Sequence, residues 1–120
     1  MKRKRTRWDP RRGARVAYLC HSRCSQLQRV QVKMTVEQLQ RDGWPSAEQR
    51  DAGQQARFET LFAEVTGVVV GFALFFHNYS TWEGMGVYLE DLYVKPEHRG
   101  KGVGTALVLV CTRSLFPSRE

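Results

Sequence analysis

The sequence predicts a single α/β domain in which meandering antiparallel strands are followed by a glycine turn and a helix. Three observations carry that expectation. Three strand-length apolar runs, Phe58–Val65, Val68–Tyr79 and Val87–Val94, follow one another with turn residues between them. A glycine-rich stretch, Arg99-Gly100-Lys101-Gly102-Val103-Gly104-Thr105, comes directly after the third. The segment behind it, Gly104–Leu115, has the length and apolar content of a helix, with Pro117 as its stop. A chain of 120 residues has room for one domain, and 42% hydrophobic residues suit a packed core better than a disordered chain.

Each element has a local cause. Thr35-Val-Glu-Gln38 reads as a capping box, in which hydroxyl and carboxamide satisfy each other's orphan amides, so a short helix is predicted over Thr35–Arg41. Asp42-Gly43 ends it. The stretch from Trp44 to Gln55 has Pro, Ser, Gly and Gln without a period and reads as a loop. Thr66-Gly67 makes a hairpin turn, and the segment Ser80–Gly86 makes a second. Pro96 forbids extension of the third strand within a sheet.

The net charge of +7 is not spread evenly. Residues 1–31 hold ten Lys/Arg against one acid, Asp9, so that segment carries +9 and the remainder −2. Little pattern besides charge is visible there. The organisation expected is a basic tail over 1–30, a domain over 31–116 and a short end over 117–120. Lys2-Arg3-Lys4-Arg5 has the look of a nuclear address, and an Arg-rich, acid-poor start also suits a mitochondrial transit peptide. A solvated terminus is the plainer reading, since many like charges repel and resist burial. Nothing besides charge argues for a nucleic-acid partner. No run approaches the ~20 apolar residues of a bilayer span, so no membrane partner is expected. Cys20, Cys24 and Cys111 are odd in number and unframed, which suits reduced thiols in a cytoplasmic protein. Cys20-His21-x-x-Cys24 with His77 or His98 would make a zinc shell, but no second paired motif supports it, and no metal is expected.

The glycine turn is the informative motif. Alternate glycines allow left-handed backbone and leave N–H groups uncovered, and several such groups beside a helix N-terminus form an anion nest suited to a pyrophosphate. The spacing is neither that of a Rossmann turn, G-x-G-x-x-G at a strand end, nor that of a P-loop, which needs Ser or Thr after its lysine where this chain has Gly102. A glycine-rich connection that binds nothing is the alternative. Glu90 and Asp91 are the second candidate pair. Adjacent on a strand, they are expected to point to opposite faces. A carboxylate can accept a proton through a water from a group such as a primary amine, which at pKa about 10.4 is protonated at neutral pH, and it also attracts a cation. Trp82 offers a ring face to a cationic amine or plugs a core edge.

Val87-Tyr-Leu-Glu-Asp-Leu-Tyr-Val94 followed by Pro96-Glu-His-Arg99-Gly-Lys-Gly-Val-Gly104-Thr resembles the acetyl-CoA motif of the GNAT N-acetyltransferases, R/Q-x-x-G-x-G/A after a central strand. Val70-Gly-Phe-Ala-Leu-Phe-Phe, Tyr79-Ser-Thr-Trp82, Tyr88-Leu-Glu-Asp91 and Tyr93-Val94 are similar to the spermidine/spermine and thialysine N-acetyltransferases, as are Val32-Lys-Met-Thr and Arg41-Asp-Gly43. The resemblance implies a homodimeric enzyme that moves acetyl from acetyl-CoA to a primary amine of a polyamine or lysine analogue. It implies that Leu92, Tyr93 and Val94 offer backbone groups to the pantetheine arm. Arg99 and Gly100, Lys101, Gly102, Val103, Gly104 and Thr105 would hold the pyrophosphate. Glu90 would act on the amine, with Asp91 and Trp82 lining its site. In relatives the helix after the turn leads to a further strand, a helix and two strands bearing a tyrosine that protonates the thiolate. Residues up to Glu120 do not match those elements, nor do residues 1–30 match the family's first strand and helix. The expectation is therefore a partial GNAT fold that turns over slowly, or a remnant that binds acetyl-CoA or pairs with an intact relative.

Overall fold

A computed structural model of the chain describes residues 13, 15–19 and 33–115. The chain divides into two compact units that meet in sequence between Glu59 and Thr60.

In the first unit, α1 (Val36–Gly43) starts at the predicted capping box. The Thr35 hydroxyl accepts the Gln38 N–H at 3.2 Å, and the Gln38 carboxamide oxygen accepts the Thr35 N–H at 2.9 Å. The loop predicted after it instead contains α2 (Ala47–Asp51). The cause is a second box of the same kind. Ser46 accepts the Gln49 N–H at 3.2 Å, and Gln49 accepts the Ser46 N–H at 2.7 Å. Gly13 and residues 15–19 are helical, in a stretch that reads as patternless in sequence. Gly13 and Ala17 are buried, four positions apart, so this helix turns a face of small residues inward. Gly13 lies against the Trp44 indole, where a Cβ would come within 3.0 Å of Cζ2. The indole and the Phe58 ring meet edge to face, their centroids 5.8 Å apart.

The second unit is an antiparallel sheet with a helix on one face. The strands β1 (Glu59–Val65), β2 (Val68–Ser80) and β3 (Gly84–Val94) lie in sequence order. Thr66 (φ 49°) and Gly67 (φ 80°) form the predicted two-residue turn, both left-handed, as the right-handed twist of the flanking strands requires. β3 begins three residues earlier than the sequence predicts, because Gly86 is a strand residue and not a turn residue. It pairs with Asn78, whose carboxamide covers it so closely that a Cβ would lie 2.6 Å from Oδ1. After β3 a 3-10 turn, Pro96–His98, leads to the glycine turn and α3 (Val103–Arg113).

α3 packs on the sheet through Leu107 and Cys111, which join Ala63, Val70, Ala73 and Phe75 in one buried cluster. Leu61, Val87, Leu89 and Val103 close its sides. On the opposite face the rings of Phe62 and Phe72 lie 5.5 Å apart and Phe76 stacks on Tyr88 at 5.2 Å. The helix approaches β2 most closely at Gly71, where a Cβ would sit 3.0 Å from Val103 Cγ1, 3.2 Å from Leu107 Cδ1 and 3.4 Å from Ala63 Cβ. A side chain there must push helix and sheet apart. Gly71→Val is therefore expected to lower stability by about 1–3 kcal/mol, the usual cost of overpacking. A thermal melt of the variant against the wild-type chain measures it.

Candidate functional site

The candidate residues gather around the C-terminal half of β3 and the N-terminus of α3. The pairing of β2 with β3 is regular except at one point: Leu74 pairs with Asp91, but Phe75 pairs with Leu89. Glu90 is the extra residue of a β-bulge, without a register partner on β2. Packing shows the same phase shift. Val87 and Leu89 pack on the α3 side, and so does Val94, whose Cγ2 would lie 3.7 Å from a Cβ at Gly104. Odd positions face α3 before the bulge and even positions face it afterwards.

That shift corrects the expectation that Glu90 and Asp91 point to opposite faces. Tyr88 stacks on Phe76 away from α3, and Glu90, two residues on, keeps that phase. Asp91, paired with Leu74, lies on the same side after the shift. The bulge thus turns two carboxylates to the face opposite α3, with Glu90 exposed and Asp91 half-buried. An apolar step of three residues in the sequence, Leu89 to Leu92 between steps of two, is the trace this bulge leaves.

Beyond the bulge the backbone phase is fixed by Lys95, whose N–H donates to the Val70 carbonyl at 2.8 Å. In an antiparallel ladder such pairs alternate with pairs whose groups point away. Tyr93 therefore exchanges bonds with Phe72, and the backbone groups of Leu92 and Val94 are directed away from β2. The three residues expected to act alike divide into one ladder residue and two facing the sheet edge.

The glycine turn has the conformation its composition suggests. Gly100 (φ 72°) and Gly102 (φ 80°) are both left-handed, and Gly102 is the N-cap of α3. A Cβ on either would meet nothing within 4 Å, so the space beside both Cα atoms is open. No side chain caps the helix. Its first internal bond runs from the Ala106 N–H to the Gly102 carbonyl at 3.0 Å, which leaves the N–H groups of Val103, Gly104 and Thr105 ahead of the helical ladder. The Val103 side chain is packed against the core, so only its N–H is turned to this end. Thr105 and Lys101 are exposed. Arg99 is engaged within the protein: its Nε–H donates to the Val94 carbonyl at 2.8 Å, and its guanidinium stands 5.7 Å from the centroid of the buried Tyr93 ring. The sequence gives no hint of this contact.

Trp82 is not brought to the carboxylates. It sits at the tip of the β2–β3 hairpin, 95% exposed, where Ser80 Oγ accepts its N–H at 3.1 Å and that of Glu83 at 3.2 Å. Gly84 to Glu90 is six strand steps, roughly 20 Å at ~3.3 Å each, so the hairpin tip lies well away from the bulge. Nor does the ring plug a core edge. Cys20, His21 and Cys24 lie outside the described residues. Among the described residues no group of three or more His, Cys, Asp or Glu is placed to hold a metal, and no helix is long and apolar enough to cross a membrane.

Residues 25–117 match the acetyltransferase (GNAT) family, and the chain belongs to that family. Its relatives include the thialysine N-epsilon-acetyltransferases of Bos taurus and Mus musculus, 38% and 40% identical over 86 residues. Those alignments cover 65% of this chain, which spans only 46% of the length of either relative. The human spermidine/spermine N(1)-acetyltransferase-like protein 1 is 32% identical over 84 residues, 64% of this chain and 11% of that protein. The crystal structure of an acetyltransferase from Vibrio fischeri shares the fold, with a TM-score of 0.55 and 19% identity over 95% of this chain and 84% of that one.

Because the Trp82 side chain is almost fully exposed, Trp82→Ala is expected to change stability by less than about 0.5 kcal/mol. Unchanged denaturant midpoints for the two chains are the outcome to look for.

Proposed function

We propose that this chain carries the acetyl-CoA site and the proton-accepting carboxylate of an N-acetyltransferase acting on a primary amine, with polyamines and lysine analogues such as thialysine as the substrate class. The observation that carries the reading is the left-handed, uncapped glycine turn at the N-terminus of α3, with open space where Cβ atoms would otherwise stand. Main-chain amides of Gly100 to Thr105 would hold the pyrophosphate, helped by the positive end of the helix. The edge-facing backbone of β3 beyond the bulge suits an extended amide-bearing arm such as pantetheine. Acetyl-CoA, when bound, supplies an acetyl group activated as a thioester.

The chain's own part is to orient and deprotonate the amine. Glu90, exposed at the bulge, accepts the proton through a water, while Asp91 on the same face adds negative charge that attracts a cationic substrate. Tyr88, on the same face two residues before Glu90, is the nearest hydroxyl along the strand for returning a proton to the thiolate. The names of the bovine, mouse and human relatives support an amine of the thialysine or polyamine kind. The chain spans under half the length of the thialysine-acetylating relatives. The second reading is a chain that binds acetyl-CoA, or pairs with an intact relative, without efficient turnover of its own. Acetyl transfer to a panel of spermidine, thialysine and lysine separates the two.

Two variants test the division of labour. Glu90→Gln is expected to lower the transfer rate by 10²–10⁴-fold with acetyl-CoA affinity unchanged, as for loss of a general base. Gly102→Val is expected to weaken acetyl-CoA binding more than Lys101→Ala, because the nest is built of main-chain N–H groups. Calorimetric titration with the opposite ranking would overturn the nest as the binding element.

A further inference from the structure

On the face that carries Glu90 and Asp91, Phe76 and Tyr88 stand opposite each other in the β2–β3 register, their ring centroids 5.2 Å apart and their planes inclined by 28°. Rings stacked across two strands have their faces turned along the direction of pairing. Phe76 therefore covers one face of the Tyr88 ring, and the other is turned to the outer edge of β3, beside which no further strand lies among the described residues. Tyr88 is 50% exposed, and Phe76 behind it is half-buried. The negative face of an aromatic ring attracts a cation. Near the end of β3 the chain supplies that cation itself, with the Arg99 guanidinium 5.7 Å from the centroid of Tyr93. At Tyr88 the hairpin supplies none. Residues 68–94 contain no Lys or Arg, and the imidazole of His77 is on the α3 side, 3.4 Å from Ser114 Oγ. Glu90 is two residues further along on the same side as Tyr88, and it is exposed. An open ring face and a carboxylate thus stand two strand steps apart, about 6–7 Å.

We propose that the outer face of the Tyr88 ring, backed by Phe76, holds a second cationic group of the amine substrate and so sets a preference for diamines over monoamines. This rests on the reading of Glu90 as the carboxylate that accepts the proton of the reacting amine. Two ammonium groups joined by four methylenes are five bonds apart, which at ~1.5 Å per bond in an extended zigzag spans about 6 Å. That length matches the step from Glu90 to the ring. One end of such a molecule loses its proton at Glu90 while the other stays charged over Tyr88. A monoamine of the same length places a methyl group there, which gains nothing from the charge distribution of the ring.

The test compares butylamine with 1,4-diaminobutane, which differ only in the second ammonium. Calorimetric titration of each amine into the full chain, with coenzyme A present, gives affinities that do not depend on turnover, and KM values are read alongside by acetyl transfer. The wild-type chain should bind the diamine about five-fold more tightly or better. Tyr88→Leu should lose that preference, weakening the diamine about five- to twenty-fold and the monoamine by less than about two-fold. Tyr88→Phe keeps the ring and should keep the preference. Loss of its hydroxyl would lower kcat for both amines alike and leave the ratio unchanged. Thermal melts check that both variants fold. If the wild-type chain binds the two amines equally, or if Tyr88→Leu retains the preference, the ring holds no second cation, and the proton-accepting role of Glu90 is untouched. If Tyr88→Phe behaves like Tyr88→Leu, the hydroxyl and not the ring face makes the contact, and the proposal is overturned. If the wild-type chain neither binds nor acetylates either amine, the reading of Glu90 falls and the subsite with it.

Discussion

Where α3 can lie is decided by the absence of a side chain at Gly71. Val103, at the first turn of the helix, and Leu107, one turn further on, both come to within van der Waals reach of the space a Cβ would fill. The same contact therefore fixes how near the helix comes to β2 and where along β2 its N-terminus falls. Because β3 is registered on β2 residue by residue, with Gly71 opposite Val94, that contact also places the helix N-terminus beside the end of β3. The glycine turn is then a short connection between two points already determined. Its left-handed residues are needed because little chain remains to reverse direction, and its amides face outward because the core is on the other side of Val103.

The bulge at Glu90 solves a problem that regular alternation creates. In an unbroken strand Asp91 would share a face with Leu89 and be driven under α3, where an ionised carboxylate among Leu107, Phe75 and Ala73 would be costly. One extra residue leaves Val87 and Leu89 in the core, returns Val94 to the helix side, and keeps both acids on the face opposite. Bulges commonly re-aim side chains in this way, at the cost of locally interrupted pairing. Here the interruption coincides with the adjacent carboxylates Glu90 and Asp91.

Much of the second unit was legible because its signals are local. The Thr66-Gly67 turn, the apolar runs and the stop at Pro96 each state their own geometry. The misreadings share a different origin. Gly86 looks like a turn residue because nothing in its own neighbourhood mentions Asn78, eight positions away, whose side chain requires it to be bare. The helical residues 15–19 escape a search for apolar periodicity because the buried face is carried by Gly13 and Ala17. The α2 box, Ser46-Ala-Glu-Gln49, was as readable as the α1 box and lay hidden among the residues of a loop-like composition. Of the candidate site, the turn and the acids were visible as residue types. The orientation of the acids and the engagement of Arg99 depend on register and on a contact across five residues, which residue types alone do not encode.

The three fully described helices treat their N-termini differently, and the difference follows from what holds each one together. α1 and α2 are eight and five residues long, too short to persist alone, and each spends two side chains to satisfy its first amides. α3 is apolar almost throughout, with Leu107 and Cys111 buried and Val108 and Leu109 exposed, and it is stabilised by packing on the sheet. It has no need of a capping side chain and has none; Gly102 stands in the capping position with open space beside it. A serine or aspartate there would occupy the N–H groups of the first turn and add its own bulk or charge in that open space. Close burial of the helix's inner face over Gly71 offsets the uncapped start, which ties the openness of the helix N-terminus to the packing of the core.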